Sequence, residues 1–254
     1  MKYEWNEIVG RMNQLLRLHN TPIGIKGYLS LDEMNEVPKL RRPKHIHLPC
    51  QLLGQAIQLG FTIGFTGEDI ATANCNGTVG LGEQDAEFRS GKIFAGGWCA
   101  TEKDAAVHHG ALTDVNPSYA GIVASPLTAG RIDPDVCMLT LYPGQAFMLL
   151  SGYLRNEYEP LHFPHVGESS CSMHWVRTLQ TGEIGLSLPC FAEMRFAGFS
   201  EQEVNLTMTP QDLLKAVEGV EELNKFGFRY PVPDYAVQMD AREGVGISYD
   251  ITKK

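Results

Sequence analysis

The order and period of the apolar residues predict an α/β or α+β fold, a single domain in which internally duplicated helix–strand units surround a mixed sheet. Three observations lead there. Segments with helical spacing alternate along the chain with short strand-like runs. The 254 residues are enough for one sizeable core. A segment that opens at Cys50 is echoed 121 residues later, at Cys171.

The elements follow in order. Trp5, Ile8, Val9, Met12, Leu15 and Leu16 fall at helical spacing, and Thr21-Pro22 stops that helix. Ile23 to Tyr28 alternates as a strand, and the Pro-rich, basic stretch 35–49 reads as a loop. Cys50 to Leu59 predicts a helix closed by Gly60, with a strand over Phe61 to Phe65. Residues 66–100 are rich in glycine and read as loop. Thr101 suits the N-cap of a helix reaching Gly110, with Glu102 and Asp104 in its first turn. Ile122 to Ala124 and Val136 to Leu141 predict strands, the second continuously apolar as a buried strand is. Pro143 opens a helix that runs to Leu154. Cys171 to Leu179 reads as helix, Glu183 to Leu188 and Val204 to Met208 as strands, and Thr209 caps a last helix that Gly227 ends. The chain thus divides into an N-terminal helix (1–20), one α/β domain (21–227) and a C-terminal tail (228–254).

Bulk properties exclude several classes of function. Hydrophobic residues make up 43% and charged residues 20% of the chain, which is a globular composition. The net charge of −9 and the lack of a basic stripe argue against nucleic acid. The one basic cluster, Lys39, Arg41, Arg42 and Lys44, is broken by Pro38 and Pro43 and reads as a solvated loop. No apolar run approaches the ~20 residues that span a bilayer, and the polar N-terminus has no secretory pattern, so a cytoplasmic protein is expected. Six cysteines in such a chain are buried small hydrophobes, metal ligands or reactive thiols, not a disulfide scaffold. Phosphate-loop, nucleophile-elbow and His-Glu-x-x-His patterns are missing.

The echo carries the chemistry. With Cys50 placed on Cys171, Ile63-Gly64 falls on Ile184-Gly185 without a gap. A second cysteine follows each strand, Cys75 and Cys190. A cysteine in the first turn of a helix faces unpaired N–H groups, which favour thiolate. A strand returning beside its helix brings Cys75 toward Cys50 and Cys190 toward Cys171, and two facing units bring four sulfurs together. Four thiolates suit a [4Fe–4S] cluster or zinc, although compact Cys-x2-Cys spacing is missing. Inert buried thiols are the plain alternative.

Several stretches together carry a family resemblance. They are Cys50-Gln51-Leu52-Leu53-Gly54-Gln55-Ala56, Asn74-Cys75-Asn76-Gly77 with Gly80-Leu81-Gly82, Asp133-Pro134-Asp135-Val136, and Ser187-Leu188-Pro189-Cys190 with Arg195. Over roughly residues 20–225 the chain resembles the prokaryotic domain of unknown function 169 family. The resemblance implies a single-domain cytosolic protein with cysteines at positions 50, 75, 171 and 190, and it implies no activity. Where that family pattern has a glycine soon after its last cysteine, this chain has Phe191-Ala192-Glu193.

The leading functional expectation is an iron–sulfur enzyme acting on a small molecule by electron transfer or Lewis-acid chemistry. Cys50, Cys75, Cys171 and Cys190 would be its ligands, His174 its proton-transfer group and Arg195 its anion-orienting group. An electron-transfer partner and self-association are both compatible with it. The rivals are a zinc hydrolase or lyase drawing on His45, His47, His162 or His165, and a non-catalytic binding or accessory protein. Cys137 reads as packing, Cys99 in its loop as packing or else a ligand or reactive thiol, and at most one of His108 and His109 can face a site.

Overall fold

The computed structural model describes residues 3–84, 86–116 and 118–232. In chain order the elements are α1 (Trp5–Leu16), β1 (Ile23–Tyr28), α2 (Leu31–Asn35), α3 (Pro49–Leu59), β2 (Ile63–Phe65), α4 (Ala73–Val79), α5 (Ala86–Arg89), α6 (Glu102–Gly110), β3 (Gly121–Pro126), β4 (Val136–Leu141), α7 (Pro143–Leu154), α8 (Trp175–Thr181), β5 (Gly185–Ser187), α9 (Phe191–Phe196), β6 (Val204–Met208) and α10 (Pro210–Lys225). Most of the tail expected at 228–254 lies outside the described residues.

The six strands form one sheet in the order β2-β3-β1-β4-β6-β5. Every ladder is antiparallel, which corrects the expectation of a mixed sheet. The reason lies in the order. β1 and β2 run in the same direction, as strands joined through a helix do, but β3 is inserted between them and is antiparallel to both. β4, β5 and β6 repeat that arrangement. The order is therefore a palindrome about the β1–β4 pair, where Gly24 lies opposite Cys137. The helix–strand–helix order also recurs, as α3-β2-α4 and α8-β5-α9.

The two halves correspond, but the echo is one residue out of register. With Gly24 on Cys137, the ladders relate Ile63 to Gly185, a step of 122 residues and not 121. A one-residue slip turns a side chain to the other face. Accordingly Ile63 packs in one core cluster while Ile184 packs in the other. The extra residue is absorbed ahead of α8, where Ser170–Ser172 forms a 3-10 turn instead of the first turn of a helix.

Each face of the sheet is covered. Ile23, Ile25, Ile63, Phe65, Ile122, Ala124, Val136 and Met138 form one face, beneath α3 and α8 with Trp175 fully buried. Cys137, Leu139, Leu141, Val204 and Met208 belong to the other, beneath α1, α7 and α10. Gly152 of α7 and Gly219 of α10 let those two helices cross with backbones in contact, since a Cβ on Gly219 would lie 2.0 Å from the Gly152 carbonyl oxygen. The residues between α4 and β3 carry α5 and α6, and their Phe88 and Leu112 form a small core with Val166 and Met173 from the stretch ahead of α8.

Candidate functional site

The site lies on the α3/α8 side, where pieces of both halves meet. α3 opens at Pro49 and stops at Gly60, which takes the left-handed conformation at φ 68°. Cys50 is its second residue. α4 opens on Thr72, whose side chain accepts the Cys75 N–H, so Cys75 sits in a first helical turn that the glycine-rich reading missed. Cys171 sits in the Ser170–Ser172 turn, ahead of α8 and not within a helix as expected. Cys190 caps α9, and its own N–H donates to Glu193 Oε2 at 2.9 Å.

All four of these cysteines line one cavity of about 440 Å³, part of it open to solvent, together with Thr78, Glu168, Ser169 and Glu193. Two thiols come from each half of the palindrome. Among the described residues, no lysine or arginine lines the cavity. All six cysteines of the chain are free.

Burial dominates the electrostatics. It pushes the thiols of Cys50 and Cys171 well up, with nearby Glu193 and the other thiols adding to the shift, and Cys190 up to about 12, with Glu193 and Glu168 adding. Burial raises Cys75 as well. The expectation that helix positions make Cys50 and Cys171 thiolate-like is thus corrected for the metal-free protein: desolvation outweighs the helix dipole. A bound cation reverses the balance, because it stabilises each thiolate directly.

Two carboxylates went unnoticed in the sequence. Glu193 is buried and saturated: Ser170 Oγ donates to Oε2 at 2.6 Å, Cys190 N–H to the same oxygen, and His174 Nε2 to Oε1 at 3.1 Å. Burial alone would raise its pKa, but His174, Ser170 and the Cys190 N–H together hold it below the usual carboxylate range. Glu168 differs. Burial raises its pKa, and its Oε2 is enclosed without a hydrogen-bond partner. The Cys190–Glu193 spacing is that of a capping box, which was the one signal in the sequence for Glu193.

The remaining expected site residues lie elsewhere. His174 is fully buried behind the cavity wall, where it positions Glu193. Arg195 is on the exposed outer side of α9, 5.5 Å from the Phe196 ring and 5.9 Å from that of Phe191, and does not line the cavity. His47 Nδ1 is bonded to the His45 carbonyl oxygen at 2.6 Å, and neither residue lines the cavity; His162 and His165 are exposed. Cys137 is packed in the centre of β4, as expected, and Cys99 is in a loop beside Phe94. Of the α6 histidines, His108 reaches toward the site: its Nε2 donates to the Glu168 main-chain oxygen at 3.1 Å. His109 instead stacks on Phe88 at 3.7 Å.

Among the described residues, no three His, Cys, Asp or Glu side chains are gathered closely enough to hold a single metal ion, and no helix is long and apolar enough to cross a membrane. No curated protein and no solved structure matches the chain significantly. A family model does match, over residues 11–219: the chain belongs to the domain of unknown function 169 family, described as uncharacterised ArCR.

Proposed function

We propose that this member of the domain of unknown function 169 family holds a [4Fe–4S] cluster on Cys50, Cys75, Cys171 and Cys190, and acts in the cytoplasm on a small molecule that enters from the open side of the cavity. The observation that carries the reading is the composition of the wall. Four thiols and two carboxylates surround one partly open space, with no basic residue among the described residues of its wall. Ionising such a set without a cation is prohibitive, because every buried anion raises the cost of the next. A multivalent cationic centre supplies the missing charge.

A cluster suits this wall better than a single ion. Tetrahedral zinc at about 2.3 Å from each sulfur needs sulfurs about 3.8 Å apart. No ligand set of the single-ion kind is gathered among the described residues. A cubane cluster binds each thiolate at a different iron, so its ligands stand farther apart. When bound, a cluster supplies electron transfer, or Lewis acidity at an iron that protein does not fully ligate. The chain's own contribution is to hold Glu193 ionised beneath the site through His174 and Ser170, and to shield the sulfurs from water on all but one side.

The test is anaerobic purification followed by iron, sulfide and zinc analysis. Iron with matching acid-labile sulfide is expected, reduced by Cys50→Ser, Cys75→Ser or Cys171→Ser and unchanged by Cys137→Ser. Stoichiometric zinc without sulfide would overturn the reading in favour of a four-thiolate zinc site.

A further inference from the structure

The fourth corner of that cluster is contested. We infer that Glu168 is an oxygen ligand sharing one iron with Cys190, an inference that rests on the cluster reading above. Three independent observations converge on Glu168. It lines the cavity, and its Oε2 is enclosed with no hydrogen-bond partner, whereas both oxygens of Glu193 are occupied. A buried, unpaired carboxylate oxygen is costly, and in a cavity of thiols a metal is its natural partner.

The backbone is bent to put it there. Ser169, itself in the cavity wall, adopts φ 59° and ψ 37°, a left-handed conformation that is unfavourable for a non-glycine residue. That bend separates two neighbours. Ser170 is sent to Glu193, and Glu168 is left facing the cavity. The main chain of Glu168 is also fixed from outside, since His108 Nε2 donates to its carbonyl oxygen.

Cys190 is its neighbour at that corner. In the metal-free protein the Cys190 thiol and the N–H groups of Ser169 and Phe191 face the Glu168 carboxylate. The thiol and the enclosed Oε2 thus stand side by side on the cavity wall, placed to hold the same iron.

The experiment uses the anaerobically loaded full chain and reads the cluster, not activity. Cys190→Ser is expected to retain most of its iron and sulfide, while Cys171→Ser loses them. Glu168→Gln, which keeps size and hydrogen bonding but is a poor ligand, is expected to speed iron removal by a chelator about tenfold. Glu168→Asp, which keeps the carboxylate, should recover part of that loss. The Cys190→Ser/Glu168→Gln double variant is expected to show the electron-paramagnetic signal of a [3Fe–4S] cluster, with near-UV circular dichroism of the metal-free protein unchanged as the check on folding. If Glu168→Gln releases iron at the wild-type rate and the double variant matches Cys190→Ser, Glu168 is only a hydrogen-bonding neighbour and the inference fails while the cluster reading stands. A wild-type protein that holds no iron overturns both.

Discussion

Two glycines in two helices should respond to the same substitution with opposite signs. Gly219 of α10 lies where that helix crosses α7. A methyl group there would sit 2.0 Å from the Gly152 carbonyl oxygen and 2.8 Å from the Gly152 Cα. Ordinary contact needs about 3.4 Å or more, so the helices must part by about an ångström along a seam that includes Leu149, Val217 and Val220. Overpacking of this kind costs about 3 kcal/mol. The gain in helix propensity returns about 1 kcal/mol, leaving Gly219→Ala destabilised by about 2 kcal/mol. Gly10 of α1 has nothing within 4 Å of the position a Cβ would take. Only the propensity term acts there, so Gly10→Ala should stabilise by about 0.5–1 kcal/mol. Urea unfolding of the metal-free protein, followed by circular dichroism, gives both values from midpoints at unchanged slope. Melting temperature should fall by about 5 °C for the first and rise by about 2 °C for the second. A Gly219→Ala protein as stable as wild type would refute the close crossing, and equal losses at both positions would refute the argument from space.

Three further outcomes follow from the site and from α1. Glu193→Gln offers one oxygen to three donors, of which the Cys190 N–H cannot turn away, so metal-free stability should fall by about 2–3 kcal/mol; an unchanged unfolding midpoint would sink this account of Glu193. In metal-free protein, Cys50, Cys171 and Cys190 should alkylate more slowly at pH 8 than Cys99, which is part-exposed in a loop, because burial holds those three as thiols; mass spectrometry that finds Cys50 the fastest would contradict it. The paired Arg11–Glu221 hydrogen bonds at 2.7 and 2.8 Å hold the Glu221 pKa down. Its folded value lies below the unfolded one, so the stabilisation is present above the unfolded value of about 4.3 and fades as pH falls through the folded value. For a partly exposed pair it amounts to about 0.5–1 kcal/mol, and the difference between wild type and Arg11→Met should shrink toward zero in acid; a difference that grows in acid would reverse the sign of the argument.

Some of this was legible in the sequence because single segments determine it. β1 and β4 fall where alternation and a continuous apolar run put them, since strands at the centre of a sheet are read from their own residues. The four cysteines were legible for a related reason: the order of helix and strand is a local property, and it recurs. Other features depend on partners distant in sequence. α8 starts later than the periodicity suggests because the serines ahead of it are engaged elsewhere. Ser170 Oγ donates to Glu193, and Ser172 accepts from the Thr113 N–H and hydroxyl, which draws that turn out of a regular helix. α4 was missed because Asn74, Asn76 and Gly77 are poor helix formers, and the cap by Thr72 with its place against the site decides the matter. Glu168 and Glu193 carry little local sign of burial, because the groups that enclose them, such as Ser170 and His174 around Glu193 and His108 at Glu168, sit on other elements.

The palindromic sheet also imposes a schedule on synthesis. Cys50 and Cys75 belong to the first half, and Cys171 comes 96 positions after Cys75. At about 5–20 residues per second a ribosome takes roughly 5–20 s to cover that distance. During that interval the first pair of thiols is outside the ribosome with half a wall and no opposing pair. β4 must then dock antiparallel on β1 before the second pair can close the cavity. A cofactor seated among all four is therefore inserted only into a chain whose two halves have met, and its presence reports a finished fold.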